Sequence, residues 1–279
     1  MFRFIPQKKR SKLRVLAGTA VYCCLRYCLW LRYGKRFAAA CALTEEQCAE
    51  RFPYAVFMHS TPLFRNLSKE DSELQQGKAH NLRIAVKALD KTVLEPGQVF
   101  SFWRLIGNPT RLKGYTKGMM LVNGRPAAKT GGGLCALSNL VYWMTLHTPL
   151  SVAERFRHSY DVFPDSNRTQ PFGSGATCVY NYRDLMIRNE TAARFLLRVW
   201  IADGRLCGQW RSSTPCAERY EVYQKDHWIT AETGGAYVRH NTLYRRVFIR
   251  QDGGETLLCD EKITENHALM MYAPFLEKP

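Results

Sequence analysis

Three consecutive glycines, Gly131-Gly132-Gly133, stand directly before an uncharged and almost wholly apolar run from Leu134 to Leu146. A run of that length that is apolar on all sides is typical of a helix buried in a protein core. Pro149 closes the run, because proline cannot continue a helix. The pattern therefore predicts a glycine loop that leads into a buried helix, with Cys135 close to the helix start.

Upstream of this loop the pattern predicts a helix, a strand and a hairpin. The helix is expected from His80 to Val93, because apolar residues recur there on one face at helical spacing. Residues 37–76 are interpreted as helix and loop, and residues 99–103 as a strand. Asn123-Gly124 stands between two extended runs, which favours a tight β-hairpin.

Downstream, the pattern changes to strands from Asp184 onward. Extended runs separated by turn residues are expected at 185–188, 195–202, 206–211 and 255–259, and a further set covers 220–250 with Gly234-Gly235 between. The sequence therefore predicts an α+β fold. It has a helical N-terminal half, a core in which the glycine loop leads into a buried helix, and an antiparallel β-rich C-terminal half.

The positive charge of the chain is concentrated at its start. The formal net charge is +16, and residues 1–36 contribute ten Lys or Arg and no acid. The remaining residues are nearly balanced, with thirty basic and twenty-four acidic side chains. We therefore divide the chain into a basic N-terminal helical segment, residues 1–40, and a folded domain, residues 41–279, whose β-rich part begins near residue 184.

Residues 15–31 form an apolar segment within this basic region. The segment is shorter than the about 20 residues that a membrane-spanning helix needs, and Arg26 interrupts it. Charged residues between this segment and Ala38-Ala39-Ala40-Cys41 argue against export, so we expect a cytoplasmic protein, peripheral at the inner membrane surface. There the segment would form an amphipathic helix on anionic lipid. The alternative is a helix that packs on the domain and leaves its arginines in water.

Ten cysteines raise the question of disulfides or a metal site. Five lie before residue 50, the others are scattered singly, and no pair has C-x-x-C spacing, so we expect mostly reduced thiols. A structural zinc site is the alternative, with ligands drawn from Cys207, Cys216, Cys259, His227 and His240. The sequence contains no P-loop and no G-x-G-x-x-G motif, which argues against a nucleotide enzyme, and we expect no cofactor. No nucleic-acid-binding signature follows the basic start, so nucleic acid is not an expected partner.

Cys135 is the residue on which chemistry would be centred. A thiol at a helix N-terminus meets unpaired backbone N–H groups and the positive end of the helix dipole, which lower its pKa. The same N–H groups can bind the oxyanion of a tetrahedral intermediate. These are parts of a cysteine acyl-transfer enzyme. In the alternative interpretation, Cys135 is a small buried residue and the glycines only permit a tight turn.

His158 is the candidate base, because it follows the helix and the chain can return it to the helix start. Asp161 or Asp165 would orient its imidazole. His147 lies about 18 Å along the same helix from Cys135 and is excluded as the base. The residues expected to contact a ligand are Gly131, Gly132, Gly133, Ser138, Asn139 and Ser159.

Several of these residues carry a resemblance to a known family. The matching segments are Gly131-Gly132-Gly133-Leu134-Cys135-Ala136-Leu137-Ser138-Asn139-Leu140, His147-Thr148-Pro149-Leu150, Glu154-Arg155 with His158, Phe100-Ser101-Phe102-Trp103, Asp184-Leu185 and Arg188-Asn189. In this order they resemble the signature of the VanW family, and the likeness extends over nearly the whole chain after about residue 20.

The resemblance implies an accessory role in glycopeptide resistance and a connection with cell-wall peptides. Two positions depart from the family pattern. The family usually has Gln directly after the cysteine, where this chain has Ala136, and many relatives have Asp where this chain has Gly175. If that Gln and Asp serve catalysis, this chain is weakened or inactive, and if both are structural, nothing is lost.

Two hypotheses follow. In the first, the chain is a non-catalytic accessory protein that binds an anionic cell-wall precursor or a resistance enzyme at the inner membrane surface, where its basic start attracts anions. In the second, it is a cysteine-dependent hydrolase or acyl transferase acting on peptidoglycan peptides or their precursors. Cys135 would then be the nucleophile and His158 the base. The two departures from the family pattern favour the first.

Overall fold

Helices occupy the first half of the chain and strands dominate the second, which confirms the predicted α+β class. The computed structural model describes residues 11–64, 72–122, 125–157, 160–162, 170–232, 235–251 and 254–272. The helices are α1 (Lys12–Arg32), α2 (Glu45–Arg51), α3 (Ser72–Leu89), α4 (Phe102–Ile106) and α5 (Cys135–Thr145). The strands are β1 (Ala39–Ala40), β2 (Tyr54–Pro62), β3 (Thr92–Leu94), β4 (Val99–Ser101), β5 (Lys117–Val122), β6 (Arg125–Thr130), β7 (Ser151–Glu154), β8 (Tyr160–Asp161), β9 (Met186–Arg188), β10 (Phe195–Ala202), β11 (Arg205–Ser212), β12 (Glu218–Glu232), β13 (Ala236–Gln251) and β14 (Gly254–Met270).

The buried helix predicted after the glycine loop is α5. Its buried residues are Leu137, Ser138, Leu140, Val141, Tyr142, Trp143, Met144 and Thr145. The helix packs on β11 and β2, which belong to an antiparallel sheet with the strand order β1-β3-β10-β11-β2. Gly208 in β11 permits this contact, because a Cβ there would lie 2.6 Å from the end of the Met144 side chain. The core is therefore organised around α5.

Three upstream predictions need correction. Helix α3 runs from Ser72 to Leu89, so it begins and ends before the predicted range of 80–93. The strand predicted over 99–103 ends at Ser101, because the Ser101 hydroxyl accepts a hydrogen bond from the Arg104 N–H and caps α4. The region interpreted as helix and loop, 37–76, contains the nine-residue strand β2.

The downstream strands follow the prediction more closely. The predicted hairpin is present as β5 and β6, with Val122 opposite Arg125; the Asn123-Gly124 turn lies outside the described residues. The 220–250 region forms β12 and β13, which pair along their whole length. Strand β14 continues far beyond the predicted end at residue 259 and joins them in a sheet of order β12-β13-β14-β8.

Helix α1 packs on the domain along one narrow stripe. Its Arg26 guanidinium donates to both carboxylate oxygens of Glu154, at 2.8 and 2.6 Å, and Trp30 is buried in the core. Arg26, which interrupts the apolar segment in the sequence, therefore faces the protein. In the described part of the chain, no helix combines the length and apolarity required to cross a bilayer. The division of the chain at residue 40 stays a prediction.

Candidate functional site

The glycine loop makes a tight turn directly before α5. Gly131 and Gly133 have φ angles of 74° and 94°, in the left-handed region that side chains other than glycine rarely adopt. The Asn81 side chain donates to the carbonyl of Gly132 at 2.9 Å and to that of Thr116 at 3.0 Å. The loop is thus tied to α3 and to the residue before β5, which fixes where α5 begins.

Two close backbone approaches hold this region together. A Cβ on Gly132 would overlap the carbonyl of Gly118 in β5, and a Cβ on Gly77 in α3 would overlap the carbonyl of Lys117. Helix α3, strand β5 and the glycine loop therefore touch through their main chains. Gly77 also explains the missed start of α3, because a glycine within a polar stretch weakens a helical pattern.

Cys135 is the first residue of α5, as the sequence predicts, and it lines a cleft of about 910 Å³. Its thiol donates to the carbonyl oxygen of Cys178 at 3.8 Å. Burial raises the pKa of Cys135 above that of an ordinary thiol, which is opposite to the shift expected from a helix start alone. In this geometry Cys135 is a protonated thiol on the cleft wall.

The other residues of the predicted ligand set divide into two groups. Gly131, Gly133 and Asn139 line the cleft with Cys135. Ser138 is fully buried instead, and its hydroxyl donates to the carbonyl of Ala176 at 2.7 Å. This bond holds the chain around Ala176, here called the 176 segment, against α5. Gly132 is also buried and serves the backbone contact with β5. Neither residue is among those that line the cleft, and their contact with a ligand stays a prediction.

Asp161 lines the same cleft, but its carboxylate is already engaged. It forms a buried ion pair with Arg239 at 3.3 Å and accepts a hydrogen bond from the Tyr272 hydroxyl at 2.8 Å. His158, Ser159 and Asp165 lie outside the described residues, so the proposed assembly of thiol, imidazole and carboxylate stays a prediction.

The cleft is lined by cationic side chains that the sequence patterns did not predict as a group. Among the described residues that line it, the cationic side chains are Lys78, Arg111, Lys129 and Arg157. They come from α3, the turn before β5, strand β6 and the segment after β7, which are far apart in the chain. The Arg155-Phe156-Arg157 alternation was a local signal for the last of them.

Helix α1 supplies part of the cleft wall through Thr19 and Cys23. The Tyr27 and Tyr180 hydroxyls form a hydrogen bond, and Tyr180 also lines the cleft. The basic N-terminal segment is therefore part of the site, a connection that no sequence pattern indicated.

The histidines outside the cleft have structural contacts. His147, two residues beyond the end of α5, stacks on Phe57 with ring centroids 3.9 Å apart, and burial lowers its pKa to about 4. His240 and His267 bond through their Nδ1 atoms at 2.7 Å. In the described part of the chain, no three His, Cys, Asp or Glu side chains are grouped to hold a metal ion, and the ten cysteines are unpaired. The zinc alternative therefore gains no support from Cys207, Cys216, Cys259, His227 and His240.

Comparison with known proteins places these residues in a family context. Residues 77–211 match the family model described as VanW like protein. The vancomycin B-type resistance protein VanW of Enterococcus faecalis is 31% identical over 204 residues, which cover 73% of this chain and 74% of that protein. The uncharacterized protein YoaR of Bacillus subtilis is 28% identical over 123 residues, 44% of this chain and 39% of that protein. No solved structure gives a significant match.

Proposed function

Since the chain belongs to the VanW family, we propose that it is an accessory protein of glycopeptide resistance that binds an anionic cell-wall precursor. The precursor occupies the cleft beside Cys135, and α1 lies on the inner membrane surface. In this proposal the protein binds its ligand without transforming it.

The charge of the cleft carries the proposal. Four cationic side chains line it among the described residues, and the carboxylate of Asp161 is already neutralised by Arg239. A concave site lined mainly by charges of one sign concentrates ligands of the opposite sign. Its volume is at the upper end of the range of small-molecule sites, which run from about 300 to 1,000 Å³. Precursors linked to a diphosphate have the required charge and size.

The outer face of α1 supports the membrane contact. From Ala17 to Leu31 the helix has no charged residue except Arg26, which faces Glu154. Exposed on this helix are Leu13, Leu16, Val21, Leu25 and Leu31, each more than half accessible. Exposed basic residues flank the apolar stretch at both ends, at 12 and 14 and at 32, 35 and 36. An apolar face with basic flanks is the arrangement that binds anionic lipid surfaces.

The ligand is tested by calorimetry with a UDP-linked muramyl peptide as the probe. We expect the Arg111→Gln/Lys129→Gln double variant to bind at least about tenfold more weakly than the unmodified protein, because two cleft charges are lost. The control removes the same charge outside the cleft, at Arg51 and Lys87, both exposed. Equal weakening in both double variants, or no binding by the unmodified chain, contradicts the proposal.

The membrane contact is tested by sedimentation with vesicles of phosphatidylglycerol and phosphatidylcholine. Leu25→Asp should lower binding by about tenfold, because a buried leucine contributes roughly 1.5–3 kcal/mol. Leu258→Asp is a matched control, since Leu258 is 63% exposed and Leu25 is 60% exposed. Equal binding of the two variants would show that α1 does not contact the lipid.

Cysteine catalysis is the second candidate, and the position of Cys135 on the cleft wall favours it. Its test is genetic: a deletion is complemented with Cys135→Ala and scored for glycopeptide resistance. Retained resistance supports the binding role. Lost resistance, with unchanged affinity for the muramyl peptide, would replace that role with the cysteine-dependent hydrolase or acyl transferase.

A further inference from the structure

We infer that Arg157 forms an oxyanion-binding subsite in the Cys135 cleft, which takes a carboxylate or phosphate group of the bound ligand. The inference rests on the proposed function, because it requires that the ligand of the cleft be anionic. It adds the residue that recognises the anion, which no family motif and no predicted ligand contact includes.

Arg155 and Arg157 both follow the end of β7, but their N–H groups have different partners. Arg155 donates from Nε to the Gly175 carbonyl at 2.9 Å, from Nη1 to the Thr264 hydroxyl at 3.2 Å, and from Nη2 to the Gly173 carbonyl. Its guanidinium also lies 4.8 Å from the centre of the Tyr142 ring. Arg155 is thus a structural residue that holds the 173–175 wall of the cleft.

Arg157 is the member of the pair that lines the cleft. Its Nη2 donates to the carbonyl of His267, and its Nε and Nη1 groups donate to no described atom of the protein. Burial, reinforced by the nearby charge of Arg155, lowers the pKa of Arg157 to about 10. The guanidinium is still charged at neutral pH, and it has N–H groups available for a ligand.

Among the described residues, no carboxylate forms an ion pair with the Arg157 guanidinium. Arg26, Arg198 and Arg239 are also largely buried, and each has a carboxylate partner, at 2.6, 2.8 and 3.3 Å. Arg155 and Arg157 have only neutral acceptors among the described residues. A buried cation without a counter-charge is costly, so an arriving oxyanion gains more there than on the surface.

The shape of the donor group determines the chemistry of the ligand. A guanidinium is a planar fork whose N–H groups match two oxygens of a carboxylate or a phosphate. Asp161, on the same part of the wall, does not compete with the ligand, since Arg239 and Tyr272 already bind its carboxylate. The anion would therefore lie between Arg157 and the cleft residues around Cys135.

The test measures the affinity of the full chain for inorganic phosphate and for acetate by calorimetry. It compares variants of two half-buried arginines, one in the cleft and one outside it. Arg157→Gln should weaken the binding of at least one probe by about tenfold or more. Arg157→Lys keeps the charge without the fork and should restore only part of the affinity. Arg194→Gln is the control: Arg194 is also half-buried and packs over the Phe52 ring outside the cleft, and its loss should change nothing.

The two probes distinguish the sources of the oxyanion: the one more sensitive to Arg157→Gln identifies the group. Unchanged affinity in Arg157→Gln, equal losses in both glutamine variants, or no binding of either probe would overturn the subsite. If Arg111→Gln/Lys129→Gln still weakens the muramyl peptide in those cases, the proposed function stands and only the subsite is lost. Thermal unfolding of each variant shows whether a loss of affinity reflects a loss of fold.

Discussion

Helices α1 and α5 both arise from segments nearly free of charge, yet their surroundings differ. Helix α5 is enclosed by β2, β11 and the 176 segment, whereas α1 buries only Trp30 fully. The difference comes from what the domain offers each helix. Gly208 lets the sheet approach α5 across a broad face, and Glu154 offers α1 one polar attachment point. Apolar sequence alone therefore does not specify burial; the facing surface must fit it.

The largest difference between the two helices is expected when one leucine on each is truncated to alanine. Leu137→Ala should lower the free energy of unfolding by about 2–5 kcal/mol, because Leu137 is fully buried and a cavity remains. Leu25→Ala should change it by less than about 0.5 kcal/mol, because Leu25 is 60% exposed. Urea denaturation measures both. Similar costs at the two sites would show that the outer face of α1 is covered within the protein.

The surface under α1 contains an acid whose protonation should change stability with pH. Asp184 is fully buried, and its N–H donates to Glu154, the partner of Arg26. Burial raises the pKa of Asp184 to about 6, above its unfolded value near 3.8. Its stabilising contribution is therefore complete below the unfolded pKa and is lost as pH rises through about 6.

The expected loss across that window is about 3 kcal/mol for this group alone. Asp184→Asn should make the free energy of unfolding less dependent on pH between about 4 and 7. Urea denaturation at several pH values tests this. A variant with the same pH profile as the unmodified chain would show that Asp184 does not titrate in the folded state over this range.

A smaller effect is expected when the attachment of α1 is cut. Arg26→Met leaves the Glu154 carboxylate without its ion-pair partner, although the Asp184 N–H still donates to it, so a cost of about 2 kcal/mol is expected. Limited proteolysis should cleave α1 faster in this variant. Glu154→Gln/Arg26→Met should recover part of the stability. If proteolysis within α1 is unchanged, the helix is held mainly by Trp30 and the tyrosines.

The smallest expected effect tests a family position beside α5. A Cβ on Gly175 would lie 2.8 Å from Asn139 Oδ1, the atom that accepts the Ala176 N–H at 2.8 Å. Gly175→Asp should cost about 1 kcal/mol, since that hydrogen bond must be displaced. In Gly175→Asp/Asn139→Ala the costs should be less than additive. Strict additivity in thermal unfolding would mean that Asn139 and position 175 do not compete for space.

The sequence predicts these regions unequally. The buried helix after the glycine loop and the strands of the 220–250 region follow from local patterns, and both are confirmed. Strand β2 was missed because its polar residues, including His59 and Ser60, blur the alternation of a strand. The pKa of Cys135 was expected to fall, because local spacing shows the helix start but not the burial around it.

The cleft was beyond the reach of sequence patterns for a physical reason. Lys78, Lys129 and Arg157 belong to different elements, and only tertiary contacts bring them to one cavity. The inward direction of Arg26 depends in the same way on Glu154, which lies far along the chain. No local pattern therefore marks Lys78, Lys129 and Arg157 as neighbours in the fold.

The backbone contact between Gly118 and Gly132 also has a genetic consequence. Every missense change of a glycine codon adds a side chain, and here that side chain meets a main-chain carbonyl that no second substitution removes. The two codons therefore cannot drift, alone or together, while the glycine loop keeps its place. Gly118→Ala accordingly offers a loss-of-site allele that retains each reactive and charged side chain of the cleft.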